Sequence, residues 1–352
     1  SIGNEIYDIH AGEKGYEWTL KLMEEVKKHD PFGNAEITFG SNYLLWEPAQ
    51  KCADAVGIVG YNYGEKLYDA HHRKYPKRVI YGSETASCVQ SRGIYHFPLC
   101  IPLLSEDDMQ CSSLGNSTTS WGAINPSAVL CRERDTEYSL GQFIWSGIDY
   151  LGEPTPYHTK NCYFGQVDTA GFPKDSFYTY KAAWTDAAKE PFVHLYPYWD
   201  FNPGQEIDVL IASNLEWGEL FWNDISCGKQ RIDHQNGDTF LAHRKLKYAP
   251  GVLRAVGYDA NGSVAAEMTQ QSFGDTVSFM ATPNAFEWKP EMGELCFVTI
   301  QAVDQNGIVV ENATDYVHVE VEGPATLLAL DNGDSTDFTS YQSHERRLFS
   351  GK

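Results

Sequence analysis

Two glutamates stand where an apolar run gives way to polar residues. Residues 79–87 read VIYGSETAS, a β-branched and aromatic run that reaches Gly82 and at once presents Ser83, Glu84 and Thr85. Val, Ile and Tyr favour strands, and Gly marks the exit from one. The chain opens SIGNEIYD, so Glu5 likewise follows a short extended-looking stretch, Ser1-Ile2-Gly3-Asn4. A lone Glu in such a place usually caps a helix or joins a surface ion pair. Two that face each other across one mouth can do more. Breaking a glycosidic bond takes one carboxylic acid to protonate the leaving oxygen and one carboxylate to attack the anomeric carbon.

The elements that would position them alternate. Residues 15–29, GYEWTLKLMEEVKKH, place Trp18, Leu22 and Val26 at helical spacing, and Asp30-Pro31 ends the helix. A strand (EITFG, 36–40), a helix with Pro48 in its first turn (LLWEPAQKCADA, 44–55) and a buried strand (VGIVGYNY, 56–63) follow. Next come a helix (KLYDAHHRKY, 66–75), whose His71 and His72 read as solvated, and the strand RVIYG (78–82). After a long connection come the strand GQFIWSGIDY (141–150) and the helix FYTYKAAWTDAAK (177–189). With residues 1–3 counted as a strand end, this is a series of parallel βα units.

A doubly wound sheet and a (β/α)8 TIM barrel both fit that series. Strand after strand ends in polar or aromatic residues: Asn4-Glu5, Ser41-Asn42, Asn62-Tyr63, Glu84, Trp145 and Asp149. Barrels collect function at the C-terminal ends of many strands, and no GxGxxG follows a strand here. The expectation is the C-terminal part of a (β/α)8 barrel over 1–191. Beyond it the helices stop, and short strands alternate with Gly, Pro and Asn-Gly turns. These read as a small β-sandwich over 192–274 and a second, immunoglobulin-like sandwich, incomplete, over 275–352. The first and last residues suggest an internal stretch of a longer protein.

Composition narrows the partners. The formal net charge of −21 over 352 residues repels nucleic acid and anionic lipid. No stretch approaches the roughly 18 apolar residues of a membrane span. The eight cysteines include no CxxC pair, and no His/Cys spacing suggests a metal cluster.

The ordered set SIGNE, GYNY, YGSETAS, SRGIYHFP, QCSS…SWG, GQFIWSGIDYLGEPTPY and YFGQVDTAGFPKD resembles glycoside hydrolase family 2, the β-galactosidase family, over essentially the whole chain. The resemblance implies a retaining exo-β-glycosidase, most closely a β-galactosidase, acting on an oligosaccharide or polysaccharide. Glu5 takes the place of the general acid/base and Glu84 that of the nucleophile. Asn4 matches the Asn that binds the sugar 2-OH, and Tyr63 the tyrosine that touches the nucleophile, with Tyr61 the alternative if the strand end shifts by two. Asn62, Trp145 and Asp149 complete the expected substrate contacts, with Trp145 offering a flat apolar face. Glu153 and Arg92 are weaker candidates, since charged loop residues often pair only with each other. The resemblance implies no required cofactor. A divalent ion is held by some relatives, partly by segments upstream of the matching stretch. It also implies a periplasmic or secreted location and leaves open a homo-oligomer of the whole protein.

Two other classes of function compete. The β-domains could form a carbohydrate-binding module presenting Trp199, Trp217, Trp222 and Trp288, although tryptophans in sandwiches are usually core. The chain could also be purely structural. Neither requires Glu5 and Glu84 at strand ends. Within the family, β-glucuronidase and β-mannosidase are the alternatives. Family members that take uronic acids carry Asn-x-Lys near the last barrel strand, where this chain has His158-Thr159-Lys160.

Overall fold

The computed structural model describes residues 1–107, 109–121, 125–287 and 294–352; Trp288 lies outside the described residues. The chain divides into two compact units, residues 1–87 with 124–145, and residues 88–123 with 146–352.

In the first unit, helices α1 (Glu13–His29), α2 (Glu47–Val56), α3 (Tyr68–Lys74) and α4 (Pro126–Arg134) accompany four strands. The strands are β1 (Thr38–Ser41), β2 (Ile58–Asn62), β3 (Val79–Ala86) and β4 (Ser139–Trp145). They pair in chain order, β1-β2-β3-β4, and every pair is parallel. Residues 1–3 are not the expected strand. They run beside β1 through three backbone hydrogen bonds, from Ile2 N to Thr38 O at 2.8 Å, from Gly40 N to Gly3 O at 3.1 Å and from Glu5 N to Gly40 O at 3.0 Å. Glu5 then turns into the left-handed region, φ 47°, which ends the extended run.

Sheet and helices close on a core that includes Phe39, Leu44, Cys52, Val59, Tyr61 and Ile80. Strands β1 and β2 are buried along almost their whole length, which is why they read as runs without alternation, whereas β4 leaves Leu140 and Phe143 exposed. Pro48 sits in the first turn of α2 as expected, and Gly57, φ 84°, ends that helix. In α1 the inner face is a step away from the expected one: Gly15 and Thr19 are buried, while Trp18 is 53% exposed. The cause is close approach. A Cβ at Gly15 would stand 2.7 Å from the carbonyl oxygens of Asp8 and Ile9. His71 and His72 are packed rather than solvated, with His71 Nδ1 3.1 Å from the Tyr61 hydroxyl and His72 stacked 3.8 Å from Tyr138. Helix α4, inside the long connection, was not anticipated; Asn125 caps it by accepting from Ser127 N at 2.9 Å, and Pro126 opens its first turn.

The second unit holds α5 (Asp175–Trp184), which stops short of the expected residue 189. Beyond it the regular elements among the described residues are all strands. Strands β5 (Val193–Tyr196), β6 (Glu206–Ser213), β7 (Trp217–Trp222) and β8 (Ile225–Arg231) are followed by β9 (Leu241–Lys247), β10 (Val252–Tyr258) and β11 (Val264–Gln271). One sheet has the order β9-β6-β5 and the other β8-β7-β10-β11, all antiparallel. Between them pack Leu195, Trp199, Ile207, Ile211, Leu220 and Leu253. Trp199 is fully buried, with Nε1 donating to Ala249 O at 3.1 Å. The hairpin β12 (Ser278–Pro283) with β13 (Val298–Val303) and the pair β14 (Tyr316–His318) with β15 (Glu345–Arg347) follow, around a small core of Ala302, Val310, Ala313, Val317 and Leu348. No cysteine is joined in a disulfide among the described residues, and no described helix is long and apolar enough to cross a membrane.

Candidate active site

The polar residues of the first unit gather at the C-terminal ends of its parallel strands. Asn4 bridges Gly40 near the end of β1, Asn62 closes β2, Glu84 lies near the end of β3, and Trp145 closes β4 opposite Ala86. A β-bulge aims the central pair. Tyr61 pairs with Gly82 and Asn62 with Glu84, so Ser83 is an extra residue on β3. Such an insertion rotates the side chains that follow it. Here it turns the Ser83 hydroxyl onto Asn62 and leaves Glu84 facing Asn4 and Tyr63.

The side chains form one hydrogen-bonded chain. Asn4 Nδ2 donates to Glu84 Oε1 at 2.6 Å, and Tyr63 OH donates to Glu84 Oε2 at 2.8 Å. Asn62 Nδ2 donates both to Asn4 Oδ1 at 2.9 Å and to Glu5 Oε1 at 3.0 Å. Ser83 Oγ donates to Asn62 Oδ1. Glu5 and Glu84 are therefore connected through only two amide side chains. Glu84 is 8% exposed, and among the described residues its charge is met by these neutral donors and by no ion pair. The Tyr63 phenol is pushed far above its ordinary range, first by burial and further by the Glu84 charge, against an opposing hydrogen bond with Ser87. That direction favours the protonated phenol that donates to Glu84.

Backbone strain marks the same place. Glu5 (φ 47°), Tyr63 (φ 52°), Ala86 (φ 70°) and Ser87 (φ 44°) all hold left-handed conformations, each of which costs a side-chain-bearing residue about 1 kcal/mol or more. Such strain persists where surrounding contacts hold it, and it concentrates at functional sites.

Asn4, Glu5, Asn62, Tyr63 and Glu84 thus come together, and Trp145 ends a strand at the same end of the sheet. Asp149 is held by other partners. It belongs to the second unit, its side chain is 1% exposed, and it pairs with Lys174 Nζ at 2.8 Å. Burial raises its carboxyl toward about 6 against the pull of Lys174. An Asp so enclosed offers no oxygen to a sugar. Arg92 is likewise locked in a buried ion pair with Asp168 at 2.7 Å, while Glu153 is exposed and accepts from the Tyr150 hydroxyl. The residue missed by sequence reasoning is Ser83, whose only signal was its place beside Glu84. Among the described residues no group of three His, Cys, Asp or Glu is placed to hold a metal ion.

The chain is similar to known proteins along nearly its whole length. Residues 280–352 match the glycoside hydrolase family 2 C-terminal domain 5, and residues 204–266 match a domain family of unknown function. The chain is 32% identical over 346 residues to β-galactosidase BoGH2A of Bacteroides ovatus, covering 95% of this chain and 40% of that protein. It is 30% identical over 249 residues to a putative β-glucuronidase of Formosa agariphila, covering 68% of this chain and 23% of that one. Among solved structures, a β-glycosidase from Bacteroides vulgatus superimposes with a TM-score of 0.77 at 26% identity, over 96% of this chain and half of that one. The chain thus spans half or less of the length of these relatives. Motifs in their order, a matched C-terminal domain and relatives aligned along nearly its whole length together establish that the chain belongs to glycoside hydrolase family 2.

Proposed function

We propose that this chain carries the two catalytic carboxylates of a retaining exo-β-glycosidase that removes terminal β-linked sugars, most closely galactose, from an oligosaccharide or polysaccharide. The observation that carries the reading is the continuous hydrogen-bonded path Glu84–Asn4–Asn62–Glu5. Glu84 attacks the anomeric carbon while Glu5 gives its proton to the departing glycosidic oxygen. Glu5, now a carboxylate, then takes a proton from water, which displaces Glu84 and restores the β configuration. Asn4 is exposed and has a second amide hydrogen free for the sugar 2-OH. Trp145 supplies an apolar face to the ring. In this reading the four parallel strands, paired in chain order, are the C-terminal wall of a (β/α)8 barrel within residues 1–191, with sandwiches at 192–274 and 275–352.

β-Glucuronidase is the second reading, favoured by the name of the Formosa relative. The test uses the complete polypeptide with aryl β-galactoside, β-glucuronide and β-mannoside. Glu84→Ala should abolish turnover, and azide should rescue it as the α-glycosyl azide. Glu5→Ala should retain turnover of substrates with activated leaving groups, which need little protonation. Equal loss on activated and unactivated substrates in both variants would reject the division of roles. A carboxyl separation near 8 Å, rather than the roughly 5–5.5 Å of retaining enzymes, would favour inversion.

A further inference from the structure

We propose that Asn62 is a positioning residue rather than a sugar contact: it holds the acid/base directly and the nucleophile through Asn4, and itself accepts from Ser83. The inference deepens the glycosidase reading and rests on it for the names of the two roles. The geometry stands independently of those names.

Asn62 is 2% exposed. Its amide has two hydrogens, and both are used, one on Asn4 Oδ1 and one on Glu5 Oε1. No donor remains for a substrate hydroxyl. The acceptors Asn4 Oδ1 and Glu5 Oε1 select this amide orientation, and the Ser83 hydroxyl donates to the Asn62 Oδ1 it leaves on the other side. The flipped amide would set its oxygen against Asn4 Oδ1 and the Glu5 carboxyl, acceptor against acceptor. Asn62 in turn selects the orientation of Asn4. With Asn4 Oδ1 committed to Asn62, Asn4 Nδ2 must face Glu84. One amide therefore sets both carboxyls relative to each other.

Two glycines leave room for this chain of groups. A Cβ at Gly40 would lie 2.5 Å from Asn4 Oδ1 and 3.0 Å from both Asn62 Oδ1 and Ser83 Oγ. A Cβ at Gly60 would run into the Ser83 side chain. The strands beneath the site thus bear glycine where any side chain would displace the clamp.

The test is Asn62→Asp, which keeps the shape, removes both donated hydrogen bonds and places a negative charge on Glu5. Ser83→Ala is the milder companion, trimming one hydroxyl. On the aryl glycoside that the wild-type protein hydrolyses, Asn62→Asp should lower kcat about 100-fold, the loss typical of a misplaced reacting group, with KM changed less than threefold. The basic limb of kcat/KM should move to higher pH, because Glu5 loses a hydrogen bond to its ionised form and gains a like charge. Glu5 is already faced by the Tyr63 phenol and, across Asn4 and Asn62, by Glu84; both remain in the variant. Ser83→Ala should move both readouts in the same direction, by about 10-fold in kcat. A wild-type kcat with an unmoved basic limb would overturn the proposal, and so would a rise in KM alone. If Asn62→Asp does not fold, Ser83→Ala decides by the same criteria. Wild-type protein inactive on every glycoside would instead reject the glycosidase reading. The clamp would then be read from the Glu5 carboxyl titration by NMR, where an identical midpoint in wild type and Ser83→Ala overturns it.

Discussion

Asn4 and Glu84, 80 positions apart in the chain, are joined by a 2.6 Å hydrogen bond from amide to carboxylate. The bond fixes one Glu84 oxygen, and Tyr63 fixes the other at 2.8 Å. A carboxylate held at both oxygens keeps a single rotamer, and in the proposed role of nucleophile it would need little reorganisation at the moment of attack.

Asn4→Asp replaces the donor by a second carboxylate against Glu84. The expected outcome is a fall in kcat of about 100-fold or more, on the scale of losing one donor in a preorganised site. Asn4→Ala should lose less, because it removes the bond without adding repulsion. Steady-state kinetics of the two variants on one aryl glycoside checks the ranking; an Asp variant more active than the Ala variant would contradict it.

Tyr63→Phe removes the phenol hydroxyl from Glu84 Oε2 and little else. Turnover should fall about 10- to 100-fold, the order of one hydrogen bond to a charged group at the reacting centre. Burial and the Glu84 charge push the Tyr63 phenol far above its ordinary range, so the wild-type basic limb is expected to belong to another group. The Phe variant should therefore keep the wild-type basic limb. A limb that disappears in Tyr63→Phe would assign it to the phenol.

Asp149 tests the opposite kind of role. It forms a buried pair with Lys174 at 2.8 Å and accepts from Gly165 N at 2.8 Å. Asp149→Asn leaves the Lys174 ammonium, which also donates to Gln90 O, buried without its counter-charge. Breaking such a pair from one side costs about 3–5 kcal/mol, seen as a large drop in the denaturant midpoint. KM on soluble substrates should stay within about twofold of wild type. A selective rise in KM with unchanged stability would restore Asp149 to the substrate contacts.

What was legible in the sequence follows from what is local. The strands and α1–α3 announced themselves because apolar runs and Gly/Pro stops act within a few residues of each other. Glu5, Glu84, Asn4, Asn62 and Tyr63 were legible as a group because parallel strands deliver their polar ends to one place. The role of Asn62 was not. It depends on the extra residue Ser83 in β3 and on glycines at 40 and 60, a fit between strands that no periodicity records. Asp149 was misplaced for a related reason: a carboxylate after a strand looks the same whether it meets a sugar or a lysine 25 positions onward. The packing of Leu114 with Tyr196 and Leu210 was equally hidden, since it joins residues far apart in sequence within the second unit. It also explains why β6 reads as apolar without a break from Val209 to Ala212: Ile207, Val209 and Ile211 face the sandwich core, and Leu210 and Ala212 face the other cluster.

Glu311 gives the second unit a pH dependence that can be separated from catalysis. It lines a cavity of about 360 Å³ with Asp175, His194 and Lys352, and burial raises its carboxyl from an ordinary 4.5 to about 7, against the pull of Lys352 and with the push of Asp175. A carboxyl raised on folding binds its proton more tightly in the native state than in the unfolded one. Stability is then greatest below about pH 4.5 and falls as pH rises through the window to about 7, above which the penalty is constant. The full shift corresponds to at most about 3 kcal/mol, less to the extent that water reaches the group. Glu311→Gln removes the ionisation while keeping the shape. Wild-type and variant chains should have similar urea midpoints at pH 5, and the variant should be the more stable by about 1–3 kcal/mol at pH 8. The difference should appear in stability and leave kcat/KM at pH 7 within about twofold. Parallel stability–pH curves for the two proteins would show that Glu311 ionises as an ordinary surface carboxylate and that burial in this cavity exacts no cost.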